Sequence, residues 1–356
     1  MKKTISNRTS GAVPGSPERR GAKISPAARW ILLILLPLAA AAVCLCIGRI
    51  PLSPADVFRS IGAKLTGGEG GPMLVESTLW RIRLPRILLG LLTGAGLSAA
   101  GCAFQSLFSN PLATPDTLGV ASGASFGAAL GLLLGMKLVG VQLMALAMGG
   151  AAVLLTVLCG GGGRRQGLSG VVLAGIMMGS LFNALISFVK FTADTETELP
   201  SITYWLMGTL GAAGYRELAL GAPPVLFGIA VLLLLRWRMN LLPLGEDEIR
   251  ASGVNVRLLR GTVILCATLV TASSVSMCGQ VGWVGLLVPH ICRMRFGGDH
   301  RKLLPASVFL GAAFLVVVDT AARTISASDL PISILTAMIG APFFIFLMRR
   351  TEGWRL

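Results

Sequence analysis

Ten apolar stretches recur along this chain, at about 28–48, 86–107, 118–135, 139–160, 168–191, 217–235, 261–279, 283–294, 304–322 and 331–348. A helix rises about 1.5 Å per residue, so roughly 20 apolar residues cross the ~30 Å hydrocarbon layer of a bilayer. In lipid an unpaired backbone N–H or C=O is costly, and repeated runs of this length therefore become helices. The charged fraction, 13%, agrees with that, since soluble domains carry about 25%. The expected fold is an all-α polytopic membrane protein of ten spans, two of them short.

The formal net charge is +15. It does not signal nucleic acid, because the basic residues form short clusters between apolar runs instead of one face interleaved with aromatics. Arg236/Arg238, Arg250/Arg257/Arg260, Arg293/Arg295/Arg301/Lys302, Arg349/Arg350, Arg164/Arg165 and the N-terminal tail fall on one side of ten alternating crossings. By the positive-inside rule that side is the cytoplasm, and both termini lie there. The expected organisation is a disordered basic tail over 1–27, a transmembrane body over 28–350 and a short tail over 351–356. The first apolar run is too long for a signal-peptide core of about 7 to 15 residues and reads as an uncleaved span. The seven cysteines show no metal or redox spacing and read as small packing residues.

One cluster breaks the rule: Arg81, Arg83 and Arg86, in WRIRLPR, fall outside. They read either as an interfacial anchor beside Trp80 or as a docking surface for an acidic partner.

Two places carry turn chemistry at membrane depth. Ser109-Asn110-Pro111-Leu112 follows the second span, and Gly279-Gln280-Val281-Gly282 separates the seventh from the eighth. Irregular backbone survives there only inside protein or beside a wet cavity, as in the discontinuous helices of transporters. Arg83-Leu-Pro-Arg86 and Arg257-Leu-Leu-Arg260 each open an apolar run that leads to one of these breaks. The two runs point in opposite directions, as an inverted repeat requires.

Chemical motifs are sparse. Gly123 to Gly127 matches GxSxG, so an intramembrane serine protease using Ser125 and His290 is one reading, although this Ser lies in a Gly/Ala helix and not at a strand-to-helix elbow. His290 follows Pro289 in an apolar helix and reads as a structural histidine or an intramembrane functional group. There is no HExxH and no GxxxxGK[ST], so ATP-driven transport would need a separate hydrolysing subunit. No metal site and no cofactor is expected in this chain. Between the sixth and seventh spans, Leu244 to Val254 contains Gly245, Glu246, Glu248 and Arg250 and ends its helical stretch at Gly253. It reads as a solvated loop or as a helix seated in a groove of a cytoplasmic partner.

The segments RLPR (83–86), GAGLSAAGCAFQSLFSNPLATPDTLGVASGA (94–124), GQVGWVGLLVPHICR (279–293), VDTAAR (318–323) and GAPFF (340–344) stand in one order. In them the chain resembles the FecCD-type permeases of ABC importers for iron-siderophores, haem and cobalamin. The resemblance implies a bacterial inner-membrane permease, working as a homodimer or paired permease, with a dimer of ATPase subunits that bind ATP and Mg. It also implies an external substrate-binding protein and a metal-chelate substrate, an iron-siderophore above haem or cobalamin. Arg83, Arg86 and Arg323 would dock glutamates of the binding protein, with Asp319 one turn before Arg323. Leu244 to Val254, within about 240–258, would be the ATPase coupling loop. Leu112, near Leu168, would belong to the cytoplasmic gate, and Asn110, Pro111, Gly279, Gln280, Gly282 and Pro289 to the broken helices. The sequence departs from the family at Ile249 (usually Ala), Ser252 (usually Leu), Trp283 (usually Phe) and Ser333 (usually Gly). A passive channel is a third reading, and it leaves the Leu244 to Val254 loop without a role.

Overall fold

The computed structural model describes residues 25–67, 71–160, 168–211, 214–326 and 328–351. The expected tail over 1–27 lies almost wholly outside them, as do Arg164, Arg165 and residues 352–356. Among the described residues there is no strand. The helices are α1 (Pro26–Cys46), α2 (Pro54–Thr66), α3 (Met73–Glu76), α4 (Leu84–Leu107), α5 (Val120–Leu133), α6 (Leu138–Gly160), α7 (Leu168–Thr192), α8 (Glu198–Leu206), α9 (Tyr215–Leu235), α10 (Glu246–Ala251), α11 (Val256–Cys278), α12 (Val284–Phe296), α13 (His300–Ile325) and α14 (Ile332–Thr351).

Every expected span meets a helix. Seven helical segments among the described residues are long and apolar enough to cross a bilayer, with α4 counted as one continuous segment from Met73; α5 and α14 contribute shorter apolar stretches and α12 is 13 residues long. The extra helices lie in the connections. The polar stretch after the first span is not plain loop, because Ser53 caps α2 by accepting from the Asp56 N–H and Pro54 pre-sets its first turn.

The core is built around α4. Its most apolar stretch is 89% buried, against 11% for α1, whose Ile31, Leu32, Leu35 and Leu38 face outward. A helix hydrophobic all round belongs either in a core or in lipid, and these two illustrate both cases. Around α4 pack α13, α11, α12 and α9, while α5, α6 and α7 form a second group joined to the first by α11. Small residues bring these axes together. A Cβ on Gly94 would strike the Gly311 carbonyl of α13, and one on Gly101 the Gly285 carbonyl of α12. Hydrophobic driving force between helices is weak in lipid, so close backbone contact of this kind does much of the packing.

Candidate functional site

At one end of the helical body, the chain from Met73 enters α4 through a π-helical turn, Ser77–Arg83. This wider turn delivers Arg83 and Arg86, three residues apart, to one side of the helix. Both are buried, as is Arg323. Arg86 faces Asp319 of α13 with two nitrogens: Nε donates to Oδ2 at 2.9 Å and Nη2 to Oδ1 at 2.8 Å. Its remaining Nη1 donates to Asp329 Oδ2 at 2.6 Å, and Asp329 Oδ1 accepts from Arg49 at 2.8 Å.

Arg83 and Arg323 serve a different need. The last carbonyls of a helix have no intrahelical donor. Arg323 donates to the Cys44 carbonyl at 2.6 Å and Arg83 to the Leu45 carbonyl at 2.5 Å and to the Ile50 carbonyl, so two guanidinium groups hold the C-terminal end of α1. Cations there also suit the helix dipole. The arginines expected to dock an external partner are thus already engaged within the chain. They line a cavity of about 320 Å³ together with Arg49, Asp329 and Thr78. Four arginines against Asp319 and Asp329 leave it electropositive. Among them Arg49 is the exposed cation, its side chain 49% accessible.

The two broken segments meet inside the helical body, on either side of one cavity. Asn110 Oδ1 accepts from the Leu112 N–H at 2.9 Å, turning the chain after α4, and Ser109 adopts a positive φ of 49°. The chain then runs through a 3-10 turn, Pro115–Leu118, back toward the middle of α4. At the other break α11 ends on Gly279, φ 73°, which abuts Gly208, φ 77°. Left-handed backbone at such close approach requires glycine. Trp283 also has a positive φ, 68°, and its indole lies on Gly340 of α14. A cavity of about 350 Å³ opens between the two segments, lined by Leu97, Thr114, Asp116, Gln280, Gly282, Trp283 and Ser333 among others; Asp116 is its one ionisable lining residue.

Pro289 has a specific consequence in α12. It lacks the N–H that would pair with the Gly285 carbonyl four residues earlier. Gln105 of α4 donates its Nε2 to that carbonyl at 3.4 Å, and Arg293 donates to Gln105 Oε1 at 2.8 Å. Leu112 is exposed. The broken segment meets α7 at Gly175 and Gly179, about two and three turns beyond Leu168, whose side chain lies outside the described set.

At the opposite end, Gly245 precedes α10 and the chain turns after it at Gly253, φ 73°. Ile249 faces inward and is fully buried, while Glu248 and Arg250 face outward. Glu246 accepts from Arg260 of α11 at 2.5 Å and from Arg250 at 3.4 Å. The chain leading into this segment is clasped from both sides. Ser106 Oγ donates to the Met239 carbonyl at 2.9 Å, Asn240 Nδ2 donates to Asp299 at 2.8 Å, and Asn240 Oδ1 accepts from the His300 N–H at 2.8 Å. The Asn240 amide and the Arg301 N–H, both donating to it, hold the Asp299 carboxyl below the usual carboxylate range.

Sequence reasoning passed over Arg49, Gln105, Asn240, Asp299 and Asp329. A signal existed for Asp329, the one acid between Asp319 and Glu352, two residues before Pro331 in the connection between two apolar runs. The protease reading fails on geometry. Among the described residues the buried Ser125 hydroxyl has no hydrogen-bond partner, and the His290 ring leans on Phe344 at 5.3 Å between centroids. Two of the departures from the family pattern find uses: Ser333 donates to the Met207 carbonyl at 2.6 Å, and Ile249 fills the space beneath α10.

Comparison with known proteins agrees with this arrangement. The profile of the FecCD transport family matches residues 32–350. The molybdate import system permease protein MolB of Haemophilus influenzae is 39% identical, across 90% of this chain and 95% of MolB. A probable iron chelatin transport system permease protein of Helicobacter pylori is 38% identical over 76% of this chain and 82% of its own length. The vitamin B12 import system permease protein BtuC of Escherichia coli is 36% identical over 90% and 94%. The solved inward-facing structure of a transporter assigned to the metal-chelate ABC type superposes with a TM-score of 0.82 at 36% identity, covering 91% of this chain and 99% of that one. With long apolar helices broken at two places and a short ordered helix, α10, between α9 and α11, the chain belongs to the FecCD transport family and is an integral-membrane permease of an ABC importer.

Proposed function

We propose that this permease carries a metal chelate, foremost an iron-siderophore, from an external binding protein to the cytoplasm by alternating access, as a homodimer or paired with a second permease. The observation that supports it most is the mid-depth cavity between the broken segments, mostly neutral in its lining. Irregular backbone around a midplane cavity is how transporters build a cargo site. Relatives named for iron chelatin and metal-chelate transport add to this.

The positive outer cavity is the docking face for acidic groups of the binding protein, and α10 with Gly245, Glu246, Glu248, Arg250 and Gly253 is the contact for the ATPase dimer, which binds ATP and Mg. Both termini lie in the cytoplasm. ATP acts through differential contact at the α10 segment in the two states, because binding that favours neither state shifts nothing.

A second reading, molybdate as cargo, rests on the likeness to MolB across 90% of this chain. Haem and cobalamin stand beside it. Calorimetry of the importer's binding protein against ferric siderophores, haem, cobalamin and molybdate, followed by uptake into proteoliposomes, separates them. Uptake of molybdate and of no ferric chelate would overturn the first reading.

A further inference from the structure

The two aspartates that share Arg86 differ in kind. Asp319 sits inside the spanning helix α13, its side chain 2% exposed, and takes two nitrogens of the guanidinium. Asp329 sits in the short connection between α13 and α14, its side chain 24% exposed, and takes the third. Its other oxygen holds Arg49. One carboxylate therefore bridges a buried cation and the exposed one in a cavity that carries more positive than negative charge. An acidic group arriving from outside is drawn there, and finds the bidentate place already filled.

We propose that Asp329 is an internal stand-in for a carboxylate of the external binding protein: docking replaces Asp329 on Arg49 and Arg86 with an acidic side chain of the partner, and Asp329 sets how tightly the partner holds. The inference rests on the importer reading above. It assigns Arg49 and Asp329 to the docking surface, and it makes Asp319 a fixed support that stays on Arg86 throughout.

The exchange reaches the broken helix through a short chain of bonds. The Asp329 carbonyl accepts from Tyr204 Oη at 3.4 Å, and the Ile332 N–H donates to the Gly208 carbonyl at 3.0 Å. Ser333 Oγ holds the Met207 carbonyl, and the Thr209 N–H donates to the Cys278 carbonyl at 2.8 Å, on the last turn before Gly279. Releasing Asp329 loosens one end of the connection whose other end is bonded to the segment bracing that break. The outer ion pairs and the mid-depth break thus share one short stretch of chain.

The test uses the permease–ATPase complex in lipid nanodiscs with the importer's own binding protein. Asp329→Asn keeps the shape and leaves Arg86 paired with Asp319, so no buried charge is stranded. Removing a partly exposed competitor is expected to tighten binding about threefold or more at about 50 mM salt, with the gain shrinking toward about 0.5 M. Asp329→Glu, which restores the competing charge, is expected to bind as the wild type does, and Arg49→Glu is expected to weaken binding. If Asp329→Asn binds no tighter, or Asp329→Glu binds as tightly as Asp329→Asn, while Arg49→Glu still weakens binding, the stand-in role is overturned and the docking face stands. If none of the three variants shifts affinity, the docking face falls with it.

Discussion

Gln105 Nε2 donates to the Gly285 carbonyl at 3.4 Å, across 180 positions of sequence, at the acceptor that Pro289 leaves without a helical donor. A side chain of α4 thus completes the backbone pairing of α12, just below the break. Arg293 holds the other end of the same amide.

This bond predicts a non-additive pair. Gln105→Leu strands the Gly285 carbonyl and should cost about 1–3 kcal/mol of stability. In a Pro289→Ala background, where residue 289 again supplies an N–H, the same change should cost clearly less. Thermal unfolding of the four proteins in detergent measures the cycle; equal costs in both backgrounds would remove the assignment.

Arg86 predicts a loss of stability before any loss of docking. Arg86→Ala leaves Asp319 buried without its bidentate partner, a change worth about 3–5 kcal/mol. Its thermal midpoint should fall well below that of Arg49→Ala, whose exposed pair is worth about 0–1 kcal/mol. Comparable midpoints would show that Arg86 is not the structural member of the cluster.

Helix α10 predicts uncoupling. Replacing Glu246, Glu248 and Arg250 together by Ala removes three of the four charges on α10, leaving Asp247, and frees Arg260, while Ile249 stays buried beneath it. ATP hydrolysis by the complex is expected to continue while uptake falls at least about tenfold. Coupled uptake at the wild-type rate would remove the coupling role of α10.

Asp299 gives the clasp a pH dependence of definite sign. Its carboxyl is held low in the folded protein by Asn240 and by the Arg301 N–H. A depressed value contributes stability above the unfolded carboxylate value of about 3.9, and that contribution is lost as pH falls through the folded value. Stability should therefore drop more gently in acid for Asn240→Leu than for the wild type, with no difference in slope between pH 6 and 8. A difference in slope near neutrality would assign the clasp to another group.

The ten apolar helices were legible from the chain alone, seven of them long enough among the described residues to cross a bilayer, because lipid allows an apolar run of about 20 residues one backbone solution. The breaks at Asn110-Pro111 and Gly279 to Gly282 were legible too, since proline and positive-φ glycine act locally. The Gly245 to Gly253 helix followed from its caps and turn. Three arginines were found as a group, but their partners were not. Arg86 meets Asp319 across 233 positions and Arg49 meets Asp329 across 280. No local pattern encodes such pairs. They exist because glycines on α4 let α12 and α13 approach until those charges share one cavity. Hydropathy and turn chemistry settled the crossings and their interruptions, since both depend on neighbouring residues and the solvent. Which arginine is buried in an ion pair and which is exposed was settled by helix packing, which alone decides where each long side chain finds its counter-charge.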